Sequence, residues 1–204
     1  ALAYAAAPVP YNALAHGRWS ALAAYAGAPW LLARLAAAQR VAPFAPAEVA
    51  YAPRQHPLAM HVVAVGLATG LIGLLVPAAP LLTLVVGAGL AVGSLLATEA
   101  RGLSRLALAT VGGAAVGLAL HLPTALDLVA EPSRIEAWVG LERAGGLSAL
   151  DLLRFDTGSF GFVPLGYGLA VAALFPLLAG RAWRLGWAAR AWGVSLACWG
   201  LLLA

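Results

Sequence analysis

Long apolar segments separated by short polar ones make up most of the chain. A helix needs about 20 mostly apolar residues to cross the hydrocarbon core of a bilayer, and five segments meet this requirement. They are residues 58–76, 78–98, 106–126, 164–180 and 185–204, the last with one internal charge at Arg190. This pattern predicts an all-α fold, that of a polytopic helical membrane protein.

A sixth apolar segment, residues 19–38, leaves two interpretations open. It is rich in alanine, holds Pro29 as an expected kink and places Arg34 near its end, so it either crosses the membrane or lies at its surface. The prediction is therefore five or six transmembrane helices. Residues 41–57 contain four prolines and predict an extended linker. The linker divides the chain into an N-terminal segment, residues 1–57, and a transmembrane bundle, residues 58–204.

Two sequence features predict how the spans pack. The first two of the five spans are separated only by Val76-Pro77-Ala78-Ala79-Pro80, where proline ends one helix and can start the next, so we expect an antiparallel hairpin. Glycine pairs four residues apart predict faces on which helix backbones approach closely. These pairs are Gly66 with Gly70, Gly89 with Gly93, and Gly113 with Gly117.

The composition agrees with a membrane protein and excludes two other classes. Hydrophobic residues make up 63% of the chain and charged residues 10%, against about 25% charged in a soluble domain. Aromatic residues, at 8%, are too few for a lipid-facing β-barrel with its aromatic girdles. In such a chain the net charge of +4 indicates orientation. We expect membrane lipids as partners and no nucleic acid.

The placement of the basic residues, all of which are arginine, predicts that orientation. If the loop between the second and third of the five spans is cytoplasmic, most arginines lie inside, as the positive-inside rule requires. The inner set is Arg34, Arg40, Arg54, Arg101, Arg105, Arg181, Arg184 and Arg190, and the outer set is Arg18, Arg134, Arg143 and Arg154.

Residues 127–163 then form one long exoplasmic loop. Ser133 and Glu136 have the spacing of a capping box, and Gly145-Gly146 ends the helix that this box would start. Ser148 with Asp151 repeats the arrangement more weakly. The loop is therefore predicted to hold a pair of short amphipathic helices lying on the outer membrane surface.

Carboxylates of this loop are the candidate catalytic residues. A carboxylate at the membrane surface can act as a general base or hold a divalent metal. The candidates are Asp127 and Glu131, an i, i+4 pair where the third span emerges, and Asp156 at the foot of the next span. The alternative is that Asp127 and Glu131 are solvated helix ends that mark the membrane boundary and that Asp156, with Arg154, anchors the next span at the interface.

Three arginines are candidates for binding a lipid phosphate, which a guanidinium can contact through two N–H groups. Arg154 lies two residues before Asp156, and Arg181 and Arg184 open a run that interleaves three arginines with three tryptophans, residues 181–192. Anchoring of the helix ends in the interface is the alternative in each case.

Metal and nucleotide chemistry have no sequence support. His61 and His121 lie near the ends of spans, but neither has a second ligand at metal-binding spacing. His121, beside Pro123, is expected to bond a backbone carbonyl that the proline frees. The chain has no Gly-rich phosphate loop, no Asp-x-Asp motif and no Gly-x-Ser-x-Gly. We expect no metal and no cofactor in this chain.

Several segments resemble the membrane-embedded C-terminal region of large actinobacterial family 2 glycosyltransferases. They are Leu152-Leu153-Arg154-Phe155-Asp156-Thr157-Gly158, Pro164-Leu165-Gly166-Tyr167, Gly180-Arg181-Ala182-Trp183-Arg184-Leu185-Gly186-Trp187, Pro10-Tyr11-Asn12-Ala13-Leu14-Ala15, Gly17-Arg18-Trp19 and Ala28-Pro29-Trp30. The resemblance implies a multi-pass protein of the bacterial plasma membrane, cell-envelope polysaccharide assembly and a polyprenyl-phosphate-linked sugar as partner. The sugar-nucleotide site of that family lies in a cytoplasmic domain whose acidic motif this sequence lacks, so no catalytic residue carries over.

Two other functions remain as alternatives, a permease or transporter subunit and a ligand-free membrane scaffold, and other membrane subunits are further candidate partners. A transporter predicts internal repeats with broken helices, and no convincing repeat is found.

The chain begins at Ala1 without methionine and ends at Ala204 within an apolar run. We therefore expect a fragment of a longer polypeptide.

Overall fold

The computed structural model describes residues 8–40, 56–123, 126, 130, 150–151, 163–180 and 183–203. Within these residues the chain forms seven helices, and they include no strand. The helices are α1 (Pro8–Ala15), α2 (Trp19–Gln39), α3 (Leu58–Gly73), α4 (Ala79–Leu96), α5 (Leu103–Leu120), α6 (Val163–Ala179) and α7 (Trp183–Leu203). The all-α prediction is confirmed for this part of the chain.

Three helices, α2, α4 and α5, are long and apolar enough to cross a membrane. They contain 21, 18 and 18 residues, or about 27 to 32 Å at 1.5 Å per residue, close to the thickness of the hydrocarbon core. The segment whose role the sequence left open forms one of them, with Pro29 inside it. α3 and α6 are apolar but shorter, at 16 and 17 residues.

The connection between α3 and α4 is tight, as predicted. α3 ends at Gly73, before the predicted end of the span at residue 76. Val76, directly before Pro77, is biased away from helical geometry. Leu74 and Leu75 lie in the turn and are exposed. α4 begins at Ala79 with a proline in its first turn, where the missing N–H leaves no helical bond unmade.

Contacts between side chains define the directions of the helices. The hydroxyls of Thr69 and Thr83 lie 2.9 Å apart at equal distances from the α3–α4 turn, so these helices run antiparallel and the hairpin prediction is confirmed. α3 and α5 run parallel, because Gly66 faces Val116 and Gly70 faces Leu120 one turn further along both helices.

The glycine faces predicted from the sequence are the places where helices meet. Gly113 and Gly117 of α5 face Val65 and Thr69 of α3. Gly66 and Gly70 of α3 face α5 at the same levels of the bundle. On α4, Gly89 and Gly93 face the backbone of α7 rather than side chains. A Cβ atom at any of these positions would meet a neighbouring helix, which confirms the packing interpretation.

An apolar core joins α2 to the helices that follow it. Its buried members are Leu31, Leu35, Val65, Leu90 and Leu106, which come from four different helices. α2 therefore packs as part of the same bundle as α3, α4 and α5. The predicted linker up to residue 55 and the predicted amphipathic helices of residues 127–163, apart from positions 130, 150, 151 and 163, lie outside the described residues.

Candidate functional site

Most of the described arginines gather at one end of the bundle. α2 and α4 end there, and α3, α5 and α7 begin there. This follows from the helix directions, since α3 and α5 are parallel to each other and the other neighbouring helices are antiparallel. We call this the arginine end. Its arginines are Arg34, Arg40, Arg101, Arg105, Arg184 and Arg190, whereas Arg18 precedes α2 at the opposite end.

Arg190 of α7 is almost completely buried, with an exposed fraction of 1%. Its Nη2 donates to Glu99 Oε2 at 2.5 Å, and its Nε donates to Ser94 Oγ at 2.9 Å. The guanidinium also lies over the ring of Trp187 one turn earlier, with Cζ 5.5 Å from the ring centroid. Glu99 lies in the α4–α5 turn, and its side chain is 49% exposed, so the ion pair reaches from the interior to the surface.

The Ser94 hydroxyl connects this ion pair to α2. It accepts from Gln39 Nε2 at 2.9 Å and donates to Gln39 Oε1 at 3.3 Å. With the bond from Arg190, the one donor and two acceptor positions of the hydroxyl are all used. Gln39 Nε2 also lies 3.4 Å from the carbonyl oxygen of Arg101. Three helices and one turn therefore share a single hydrogen-bonded network.

Glycines make room for this network. A Cβ on Gly93 would collide with the backbone of α7 at Ala189 and Arg190, and a Cβ on Gly186 would lie 3.2 Å from Glu99 Oε1 and 3.3 Å from Arg190 Nη1. α4 and α7 approach closely enough for Arg190 to reach Ser94 because position 93 has no side chain. The α4–α5 turn reaches α7 because position 186 has none.

The chemistry of this network is that of a structural ion pair. Removing an arginine from water costs several kcal/mol, which hydrogen bonds and an opposite charge must offset. Arg190 has both, from Ser94 and from Glu99. Arg190 therefore lies inside the bundle rather than at its surface, where Gly93 and Ser94 of α4 leave it room and a hydrogen-bond acceptor.

Arg105 holds together a second part of the arginine end. Its Nε donates to the carbonyl oxygen of Ala38 at 3.3 Å, and its Nη2 donates to that of His56 at 3.4 Å. The first bond satisfies a carbonyl in the last turn of α2, where a positive charge is also favoured by the helix dipole. Gly102 allows this approach, because its φ is 73° and a Cβ there would collide with the Gln39 carbonyl.

Arg105 belongs to a group of basic side chains that come from α2, α3 and α5. Arg34, Arg40 and Arg105 all lie within electrostatic range of the His61 ring, and His56 stacks edge-on against His61 with the ring centroids 6.2 Å apart. Arg34 also lies over the ring of Trp30, with Cζ 5.7 Å from the centroid. We call Arg34, Arg40, His61 and Arg105 the basic surface.

Most of the site residues predicted from sequence lie outside the described residues. This holds for the candidate catalytic carboxylates Asp127, Glu131 and Asp156 and for Arg154 and Arg181. Arg184 is described, and it is exposed in the first turn of α7 at the arginine end. In the described part of the chain, no three His, Cys, Asp or Glu side chains come together as metal ligands would.

His121 bonds a backbone carbonyl, as expected, but on a neighbouring helix. Its Nε2 lies 2.9 Å from the carbonyl oxygen of Gly70, which belongs to the last turn of α3. Such carbonyls have no partner within their own helix. His121 therefore caps α3 across the α3–α5 contact rather than a carbonyl freed by Pro123.

Glu99 and Arg190 are the site residues that sequence reasoning missed as a pair. The sequence did point to Arg190, because a single charge inside an apolar span marks a functional or paired residue by default. Glu99 follows the span that α7 packs against, but the pairing of those two helices is a property of the fold.

Comparison of the chain with protein-family models, with curated proteins and with solved structures finds no match in any of the three. The residues at the arginine end therefore define the candidate site by their geometry.

Proposed function

We propose that this chain is the membrane-embedded region of a bacterial cell-envelope glycosyltransferase that acts with a lipid-linked sugar. Five or six of its helices cross the plasma membrane, and the arginine end faces the cytoplasm. Transfer of the sugar takes place in a cytoplasmic domain outside this sequence. The resemblance of residues 152–158, 164–167 and 180–187 to that class of enzyme supports the activity.

The gathering of six of the seven described arginines at one end is the observation that carries the proposal. It favours a cytoplasmic location for that end, which is the side on which a sugar-nucleotide domain would work. A polyprenyl phosphate carries its phosphate at headgroup depth, where exposed arginines such as Arg184 lie. The acceptor phosphate would thus be held close to the catalytic domain.

The gene beyond both ends of this sequence provides the first test, because the proposal requires an encoded glycosyltransferase domain. If the gene encodes none, the proposal fails. If it encodes one, membranes containing the full protein should transfer labelled sugar from a sugar nucleotide to a polyprenyl phosphate.

Replacement of Arg184 by glutamine provides the second test. It should raise the KM for the lipid acceptor by about fivefold, the effect of one arginine near a phosphate-bearing surface, with kcat little changed. Arg18→Gln, at the opposite end of the bundle, is the matched control and should leave the KM unchanged. Equal effects of the two replacements would contradict the assignment of the acceptor to the arginine end.

A further inference from the structure

Arg105 places its guanidinium at the junction of α2, α3 and α5. Two of its five N–H groups are held by the carbonyls of Ala38 and His56, and no residue that the structure describes takes the other three. Neutral partners fix the position of the group without cancelling its charge. The group is therefore available to bind an anion.

Within the described part of the chain, the charge of the surrounding basic surface is also uncompensated. Arg34 and Arg40 are exposed and share the neighbourhood of His61 with Arg105. The one salt bridge found among the described residues joins Arg190 to Glu99. No described carboxylate therefore neutralises Arg34, Arg40 or Arg105. The N-terminus of α3 begins beside His61 and adds its positive end of the helix dipole.

Apolar side chains border the basic surface and indicate what kind of anion would bind. Trp30 lies under Arg34 and is 66% exposed, and Met60, next to His61 in α3, is 54% exposed. A free anion would gain nothing from these groups. A lipid would place its phosphate on the arginines and its acyl chains along the apolar faces of α2 and α3.

We propose that Arg34, Arg105 and His61, with Arg40 at the rim, form a binding site for the phosphate of an anionic membrane phospholipid. The site depends on the chain being embedded in a bilayer and not on the glycosyltransferase role. Arg105 and Arg34 bind the phosphate oxygens, and His61 lies within electrostatic range of both.

Native mass spectrometry of the detergent-solubilised chain tests the site directly. Titration with phosphatidylglycerol should give one retained lipid at concentrations where phosphatidylcholine of the same chain length gives none. Arg34→Gln and Arg105→Gln should each weaken the binding of phosphatidylglycerol by about fivefold. Arg101→Gln is the matched control, because Arg101 is exposed at the same end but is not part of the basic surface, and it should leave binding unchanged.

Three results would overturn the proposal. The two lipids carry the same phosphodiester and differ in the choline cation, so equal retention would show that the site does not select for a net negative headgroup. A loss in Arg101→Gln as large as in Arg34→Gln would show general surface attraction. Displacement of the lipid by inorganic phosphate alone would show a free-anion site. If Arg105→Gln fails to fold for lack of its two carbonyl bonds, Arg34→Gln decides the outcome, because Arg34 makes no described hydrogen bond within the bundle.

Discussion

Arg190 shows how one buried charge organises its surroundings. Its guanidinium is bonded to Ser94 and Glu99, and Ser94 is bonded to Gln39. The two ends of the ion pair are in different environments, because Arg190 has a side-chain exposure of 2% and Glu99 of 49%. Removing Glu99 leaves a charge in the interior, whereas removing Arg190 leaves a carboxylate that water can reach.

This difference predicts unequal effects of the two single replacements. Glu99→Ala should lower the free energy of unfolding by about 3 kcal/mol, the low end for an unpaired buried charge. Arg190→Met, which keeps much of the apolar volume, should cost less. Thermal unfolding of the detergent-solubilised variants, followed by circular dichroism, measures both.

The double variant Glu99→Ala/Arg190→Met serves as the control for this comparison. It has no unpaired charge, so it should be more stable than Glu99→Ala alone even though it carries an additional change. A double variant that is less stable than either single one would show that the ion pair is not the source of the effect.

At the scale of the helices, glycine determines which elements pair. Gly89 and Gly93 allow the backbone of α4 to contact that of α7, and Gly193 repeats the contact from the other side. α3 and α5 meet through glycines against side chains such as Val116 and Val65. The α4–α7 contact is thus the less adaptable of the two, because backbone atoms cannot move aside as a side chain can.

Gly93→Ala is therefore expected to destabilise the bundle by about 1–3 kcal/mol, the usual cost of overpacking a close contact. Gly200→Ala is the matched control on α7, because a Cβ there meets nothing within 4 Å, and it should stabilise by up to about 1 kcal/mol through helix propensity. The midpoint of thermal unfolding measures both effects. Equal shifts of the two midpoints would contradict the interpretation that the α4–α7 contact has no room for a Cβ at position 93.

The helices themselves were largely predictable from the sequence. Apolar length and proline position are local properties, so the α3–α4 turn around Pro77 and the glycine faces could be predicted before the fold was known. The predicted helix ends were less accurate than the predicted helix positions. α5 begins at Leu103 rather than residue 106, because Gly102 starts it in a left-handed conformation, and it ends at Leu120 rather than residue 126.

The candidate site was much less predictable, because it depends on contacts between distant residues. Glu99 and Arg190 are 91 positions apart, and they meet only because α4 packs against α7 rather than mainly against α3. Arg105 reaches Ala38 across 67 positions for a similar reason. Local sequence patterns identify each of these charged residues but not the residue that it contacts.

At the scale of the whole molecule, the described helices form a polarised bundle. One end collects six arginines with His56, His61 and Glu99, and the other holds the short turn at Pro77 and the His121 cap on α3. The turns at the two ends are exposed, at Leu75 for one and Ala100 for the other. A bundle of this kind should sit in a membrane with its two ends on opposite sides.

Cysteine labelling in whole cells tests that arrangement most directly. In a Cys198→Ala background, Leu75→Cys should react with a membrane-impermeant maleimide in intact cells, and Ala100→Cys should react only after the cells are permeabilised. Reaction of both positions from the same side, or of Ala100→Cys in intact cells with Leu75→Cys protected, would contradict a membrane-spanning bundle whose arginine end faces the cytoplasm.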